Sequence, residues 1–306
     1  MLVTGATGFL GRAVAEALDR AGHHVLRGAR TAPAAAPTGE RWIGYGDVGP
    51  ATRWEEALAG VDAIVHLAGL AHLPDAMAAT AADIFSRVNA EGTARLASAA
   101  AGARVRRLVL VSSALVHGES SPGRSFTEKD APAPASPYAR SKLDSERRLI
   151  AAARGSALQW VILRPPLVYG ARAQGNFRRL VGLVRTGLPL GAATAAKTFI
   201  GVDNLAGAVV RCLEHANAAN QVFLVGDAET TSTTDLIHRL AGALGRRVWT
   251  PRVSPALLRI ALRLARREHD YRRLFDPLEF DTSRIRTRLD WSPPVSLDEG
   301  LRRAVQ

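Results

Sequence analysis

MLVTGATGFLG, residues 1–11, sets Gly5, Gly8 and Gly11 at every third position straight after a short apolar run. A strand that turns at once into a helix leaves the first backbone N–H groups of that helix unpaired and aimed outward, a setting suited to phosphate. For a pyrophosphate to reach those donors, the turn must be tight and clear of side chains. Gly5 suits the turn, Gly8 lacks the Cβ that would obstruct a ligand, and Gly11 lets the helix lie close on the sheet. The plain alternative is a tight turn with no ligand.

Working outward, apolar runs of strand length alternate with stretches of helical period: MLVT then FLGRAVAEALDRAG; HHVLRGAR then ATRWEEALAG; VDAIVHLAG then DIFSRVNAEGTARLASAAAG; VRRLVLVSS then SPYARSKLDSERRLIAAARG; and LQWVILRPP. Strands that read as continuous apolar runs are those buried on both faces. The pattern predicts an α/β fold, a doubly wound parallel sheet of Rossmann type with a smaller C-terminal substrate lobe. The expected division is a dinucleotide-binding domain over 1–170 with a returning segment near 198–227. A substrate-binding lobe would take 171–197 and 228–306, and TAPAAAPTG at 31–39 reads as a surface loop.

With 306 residues, 47% of them hydrophobic, the chain has ample material for a core. No stretch reaches the ~18 apolar residues of a membrane span, and the N-terminus lacks a signal-peptide pattern, so the expected location is the cytoplasm. Cys212 is the only cysteine, which excludes an internal disulfide and a cysteine-built zinc site; no metal is expected. The formal charge of +12 is spread over scattered arginines without a basic run interleaved with aromatics. Nucleic acid is therefore not an expected partner, whereas small phosphorylated ligands are favoured.

TGATGFLG resembles the GxxGxxG fingerprint of the extended short-chain dehydrogenase/reductases, the NAD-dependent epimerase/dehydratase family. In that family the first strand usually begins two or three residues earlier. The resemblance implies dinucleotide contacts from Gly5, Thr7, Gly8, Phe9, Leu10 and Gly11. Asp47 and Val48 in YGDV would lie by the adenine, Leu67, Ala68 and Gly69 in HLAG would flank the cofactor, and Pro165 would follow a later strand. At the end of the second strand, an acid would accept the ribose 2′-hydroxyl of NAD and an arginine would suit the 2′-phosphate of NADP. VLRGAR has no acid there and carries Arg30, so NADP(H) is favoured over NAD(H).

Further on, VLVSSALVHG ends a strand with Ser112 and Ser113, and SPYARSK opens a helix with Ser136 as N-cap and Pro137 first. Tyr138 and Lys142, four apart, share one face of that helix. A free phenol, with a pKa near ~10, is a poor base at neutral pH. A neighbouring ammonium would stabilise its phenolate, and Ser113 would donate to the substrate oxygen whose charge changes. Ser113, Tyr138 and Lys142 are thus the expected catalytic residues; in the family the lysine also bonds the nicotinamide ribose, and Tyr138 and Lys142 count as cofactor contacts. Family dehydratases carry Asp-Glu after the hydroxyl residue. Ala114 and Leu115 stand here, which disfavours dehydration.

RPPLVYG, GNFRRLV, KTFIGVDNLAGAV and DTSRIRTRLDWSPPVSLDEGL extend the resemblance over nearly the whole chain, towards nucleotide-sugar 4-epimerases and 4-keto reductases of the N-acetylquinovosamine type. It implies a nucleotide-diphosphate sugar as substrate, held by Asn176, Lys197 and an arginine such as Arg273, with Ser112 and Ser113 near the sugar. Lys197 stands where the family often has Arg, which loses a bidentate clamp. His117, where the family often has Tyr, has two readings, sugar contact or packing, and packing is preferred. PALLRIALRLARREHDYRRL reads as a lobe helix with a solvated basic face or, second, as weak membrane-surface contact. The expected reaction is hydride transfer at sugar carbon 4, with a 4-keto reductase favoured over a 4-epimerase. The alternatives are an NADPH-dependent reductase of a non-nucleotide ketone and a non-catalytic cofactor-sensing protein. Family members are often dimers, so a homodimer is possible.

Overall fold

The computed structural model describes residues 1–121, 123–187, 192–251 and 276–306. Leu2 and Val3 of β1 (Leu2–Thr4) are fully buried, and every residue of β4 (Ala63–His66) and β5 (Arg107–Val111) is buried. Strands enclosed on both faces need a helical layer on each side. With β2 (Leu26–Ala29), β3 (Arg41–Gly44), β6 (Gln159–Arg164) and β10 (Gln221–Leu224) they form one seven-stranded sheet in the order β10-β6-β5-β4-β1-β2-β3. All its pairs are parallel.

The apolar residues divide by face. Val3, Val65, Val109 and Val161 point to α1 (Phe9–Arg20) and α6 (Val202–Glu214), while Leu2, Ile64, Leu108 and Ile162 join α3 (Gly92–Gly102) and α4 (Pro137–Ala153). This is the period-two alternation of a strand with a core on both sides. A third core joins β7 (Leu167–Tyr169) and β9 (Phe199–Gly201) to α5 (Asn176–Thr186), α7 (Thr233–Ala243) and the helix Leu297–Val305. Strand order reverses between β1 and β4, so the ends of these strands open a crevice at the switch point.

Two local expectations fail. The sheet gains β3, which the pattern did not announce, because only Trp42 and Ile43 of RWIG are shielded and the strand lies at the edge. ATRWEEALAG is a series of turns. There the Thr52 hydroxyl accepts from Gly49 N at 2.8 Å and donates to the Asp47 carbonyl at 2.8 Å, bonds that compete with a helix. Trp54, fully buried, packs its ring at 4.8 Å from that of Tyr45, tilted by 43°, and anchors the segment. The stretch expected as one helix after β4 contains a π-turn at Ser86–Glu91 between α2 (Ala81–Phe85) and α3. No helix among the described residues is long and apolar enough to cross a membrane.

Both sheet edges are obstructed. Leu224 N of β10 donates to Glu128 at 2.9 Å, and Arg284 lies 6.0 Å over the Phe223 ring while bonding Gln221 at 2.5 Å. At the other edge β3 is four residues long, with exposed Arg41 at its start and Trp42 tied to Glu40 at 2.8 Å.

One buried polar group holds the sheet to a helix, and another joins two strand ends. Arg107 Nη1 lies 2.8, 3.0 and 2.9 Å from the carbonyls of Cys212, Leu213 and His215, the end of α6 where a cation is favoured, and its other nitrogens bond Gln159. Thr4 Oγ1 accepts from Leu67 N and Ala68 N, so its proton goes to His66 Nδ1 at 2.8 Å. Burial, and secondly the Lys142 charge, push the His66 pKa down to about 3.

Arg107→Met should lower the unfolding free energy in urea by about 3 kcal/mol, since three carbonyls lose their donor. His66 binds its proton in the unfolded chain below the usual ~6.5 but resists it in the folded one down to about 3. Its contribution is full above that usual value and declines as pH falls. Urea titrations at pH 7 and pH 5 should differ by about 2 kcal/mol from this group, a difference that His66→Asn should abolish.

Candidate active site

The opening turn is built as its glycines require. Gly5 has φ +70°, and a Cβ there would lie 2.9 Å from Ala68 N at the end of β4. A Cβ on Gly11 would stand 2.1 Å from the Gly5 carbonyl, so α1 packs directly on the turn. Gly8 N donates to Gly5 O at 2.9 Å, and α1 begins at Gly8 with no side-chain cap. Thr7 and Gly8 are exposed, leaving the helix opening accessible. Leu10 packs on the core beneath α1, while Phe9 packs on the third core, with residues of β7, β9, α5 and α7. The Tyr45 hydroxyl accepts from Gly5 N at 3.0 Å, and Ala6 N donates to Gly28 O at 3.0 Å, which ties the turn to β2 and β3. A bare cradle over uncapped N–H groups fits a dinucleotide pyrophosphate.

Around this cradle, Leu67, Ala68 and Gly69 continue from β4. A Cβ at Gly69 would meet Asn89 Oδ1 at 2.9 Å. Val48 lies against Gly92 of α3. Buried Pro165 follows β6 and accepts from Ala114 N at 2.8 Å. Arg30 and Asp47, at the ends of β2 and β3, form an ion pair of 2.7 Å.

Ser112 and Ser113 follow β5, both buried. Ser113 accepts from Leu115 N at 3.2 Å, and it lies near enough to the Tyr138 phenol to favour the phenolate. Ser136 caps α4 through Ala139 N at 3.2 Å, with Pro137 first, which puts Tyr138 in the opening turn and Lys142 one turn later. The Tyr138 ring sits edge-on to Phe85 at 5.8 Å. Lys142 is pushed down to about 8 by burial, opposed by the Glu146 carboxylate. The phenol differs from expectation. Burial raises its pKa above the ordinary value, Ser113 opposes this, and Lys142 is not among the influences on it. Removing water from around a phenolate costs more here than one neutral donor returns.

Below Lys142 lies a buried network that the motifs did not announce. Glu146 Oε1 accepts from Ser112 Oγ at 2.5 Å and from Arg164 Nε at 3.0 Å, and Oε2 accepts from Arg164 Nη2 at 2.5 Å. Arg164 Nη1 donates to His117 Nε2 at 2.9 Å, so the His117 proton sits on Nδ1. His117 is 1% exposed, stacks on Phe126 at 5.5 Å, and is pushed down to about 4 by burial and then by Arg164. These contacts are those of the packing reading. Asn89, inside the π-turn, bonds Leu70 O at 2.9 Å and Ser141 Oγ at 3.0 Å, linking the end of β4 to α4. The sequence held a signal for Glu146, four residues after Lys142, and for Arg164, a charge ending an apolar run; Asn89 carried none.

The substrate side is less complete. Lys197 is buried and donates to the Asp276 carbonyl at 2.5 Å. Asn176 begins α5, but its side chain lies outside what the structure describes. Arg273 and the whole basic helix expected near it lie outside the described residues.

The comparisons with known proteins agree with this geometry. The profile of the NAD dependent epimerase/dehydratase family matches residues 1–226. A UDP-glucose 4-epimerase of Vibrio cholerae is 33% identical, covering 100% of this chain and 94% of that protein. A 2-alkyl-3-oxoalkanoate reductase of Stenotrophomonas maltophilia is 29% identical over 99% of this chain and 97% of that protein. The solved structure of MoeE5 in complex with UDP-glucuronic acid and NAD superposes with a TM-score of 0.79 at 26% identity, covering 99% of this chain and 97% of that one. With a glycine cradle at the switch point of a parallel sheet and a match over most of its length, the chain belongs to the NAD dependent epimerase/dehydratase family, as an enzyme of the extended short-chain dehydrogenase type.

Proposed function

We propose that this enzyme moves hydride to and from carbon 4 of a nucleotide-diphosphate sugar. The observation that carries the reading is that Ser113, after β5, and Tyr138, in the first turn of α4, are close enough for the serine to influence the phenol, at the same end of the parallel strands as the glycine cradle. Lys142 is near enough to His66 at the end of β4 for its charge to lower the imidazole's pKa, which supports an amine beside the crevice. Lys197, buried at the lobe side, and Asn176 at the start of α5 are the proposed holders of the diphosphate, with Arg273.

When bound, a nicotinamide supplies the acceptor and donor of the hydride. Tyr138 takes the proton of the sugar 4-hydroxyl as the carbon is oxidised and returns it as the ketone is reduced. Ser113 donates to the same oxygen, whose negative charge grows in the transition state. Lys142, still mainly protonated at pH 7 with a pKa of about 8, does not move the resting phenol, and its proposed part is to hold the nicotinamide ribose and to offset the phenolate once the ligands are bound. Burial keeps Tyr138 protonated at rest, so it can act directly as the acid in reduction, whereas to take the 4-hydroxyl proton in oxidation it must first release its own proton to solvent. Ala114 and Leu115 offer no second acid or base, so water elimination is not proposed.

Between the two cycles, the sequence ground for an NADPH-fed 4-keto reductase is Arg30. That side chain is engaged by Asp47 here, and a UDP-glucose 4-epimerase is 33% identical over the full chain. The 4-epimerase cycle, in which the keto sugar turns over before hydride returns, is therefore placed first. The Stenotrophomonas reductase supports a second reading, reduction of a non-nucleotide ketone.

Tyr138→Phe should lower kcat by about 10²–10⁴ while leaving dinucleotide affinity within about twofold, measured by turnover and by cofactor fluorescence. Full activity in the variant would remove the mechanism. Purified protein that carries NAD by mass spectrometry and interconverts UDP-sugars would support the epimerase. Replacing Asn176 and Lys197 together by Ala should weaken UDP-sugar binding about tenfold or more. Unchanged affinity would favour the second reading.

A further inference from the structure

Arg30 and Asp47 are brought together by backbone, not by chance rotamers. The parallel register pairs Ala29 with Gly44, Tyr45 N donates to Ala29 O at 3.0 Å, and Gly46 N donates to Arg30 O at 3.0 Å. Gly46, at φ +74°, then turns the chain so that Asp47 faces Arg30, whose Nε lies 2.7 Å from Asp47 Oδ1. The glycine turn adjoins this point, since Ala6 N is bonded to Gly28 O and Gly5 N to the Tyr45 hydroxyl. A Cβ on Gly28 would lie 2.9 Å from the Tyr45 ring, so the two strand ends are closed on one another. The pair therefore stands where the second strand of such folds meets the adenosine ribose.

Both side chains face solvent, 76% and 83% exposed, which makes the pair accessible to a ligand and cheap to open. A guanidinium accepts a carboxylate or a phosphate in the same geometry, so the two anions compete for one fork. A 2′-phosphate on Arg30 would add nearly two negative charges within a few ångström of the Asp47 carboxylate. A 2′-hydroxyl brings no charge and leaves the pair intact.

We propose that Asp47 is a selectivity residue: it occupies Arg30 in the place of a 2′-phosphate, so that the chain takes NAD(H) with the pair closed and NADP(H) only by displacing it. This rests on the dinucleotide reading given above and corrects the weight placed on Arg30 as a determinant for NADP(H). Selection arises from a repulsive neighbour as much as from an attractive one.

The test is native mass spectrometry of the purified protein equilibrated with an equimolar excess of NADH and NADPH, without sugar. The wild type should carry mainly NADH. Asp47→Asn should move the bound ratio towards NADPH by about tenfold. Arg30→Ala should reduce bound NADPH further and leave NADH binding within about twofold. Any adenine contact of Asp47 affects both dinucleotides alike and cancels in the ratio, and thermal melting checks that both exposed-site variants fold. A shift of less than threefold in Asp47→Asn, or a wild type that carries mainly NADPH, overturns the proposal. Binding of neither dinucleotide overturns it together with the reading of the site, whereas NADH binding without UDP-sugar turnover counts against the proposed reaction alone.

Discussion

Glu146 is 2% exposed, and its charge is held in the interior by Arg164 on one side and Ser112 on the other. The bidentate guanidinium offsets the cost of burying this carboxylate, and losing Arg164 would cost about 3–5 kcal/mol by leaving the charge unpaired. The bond joins α4 to the ends of β5 and β6. Because Lys142 and Tyr138 lie one and two turns earlier on the same helix, the contact that satisfies the charge also sets how those side chains face the crevice.

The other side of the crevice follows a similar logic with weaker bonds. Thr4 spends its hydroxyl on the end of β4, Tyr45 spends its own on the glycine turn, and Asn89 fastens the loop after β4 to α4. Each of these groups is polar, shielded and paired across a sequence gap of forty residues or more, apart from the nineteen between Asn89 and Leu70. The result is a rigid rim at the one place where the strand order reverses, which is where a ligand can enter an open parallel sheet.

What could be read from the chain was local. Gly5, Gly8 and Gly11 announced a strand, a turn and a helix because their effect is on the backbone next to them, and Tyr138 with Lys142 announced a shared face because helices place i and i+4 together. β3 escaped because an edge strand with one shielded face has little apolar pattern, and ATRWEEALAG misled because Trp54, Ala57 and Leu58 have helical spacing yet are held by the Thr52 hydroxyl and the Tyr45 ring. Arg30, Asp47, Glu146 and Arg164 each carried a signal, but that they meet could not be read. Arg30 and Asp47 follow neighbouring strands whose register brings them together, and Glu146 reaches from α4 to the ends of β5 and β6.

The obstructed edges of the sheet have a consequence for assembly. A strand from another molecule needs a row of free N–H and C=O groups to zip onto, and proteins that stay in solution deny it one. Here a carboxylate sits on the Leu224 amide at one border, and a charged, four-residue strip with few shielded side chains forms the other. Among the described residues, sideways growth of the ribbon is thus capped at one border and discouraged by charge and shortness at the other.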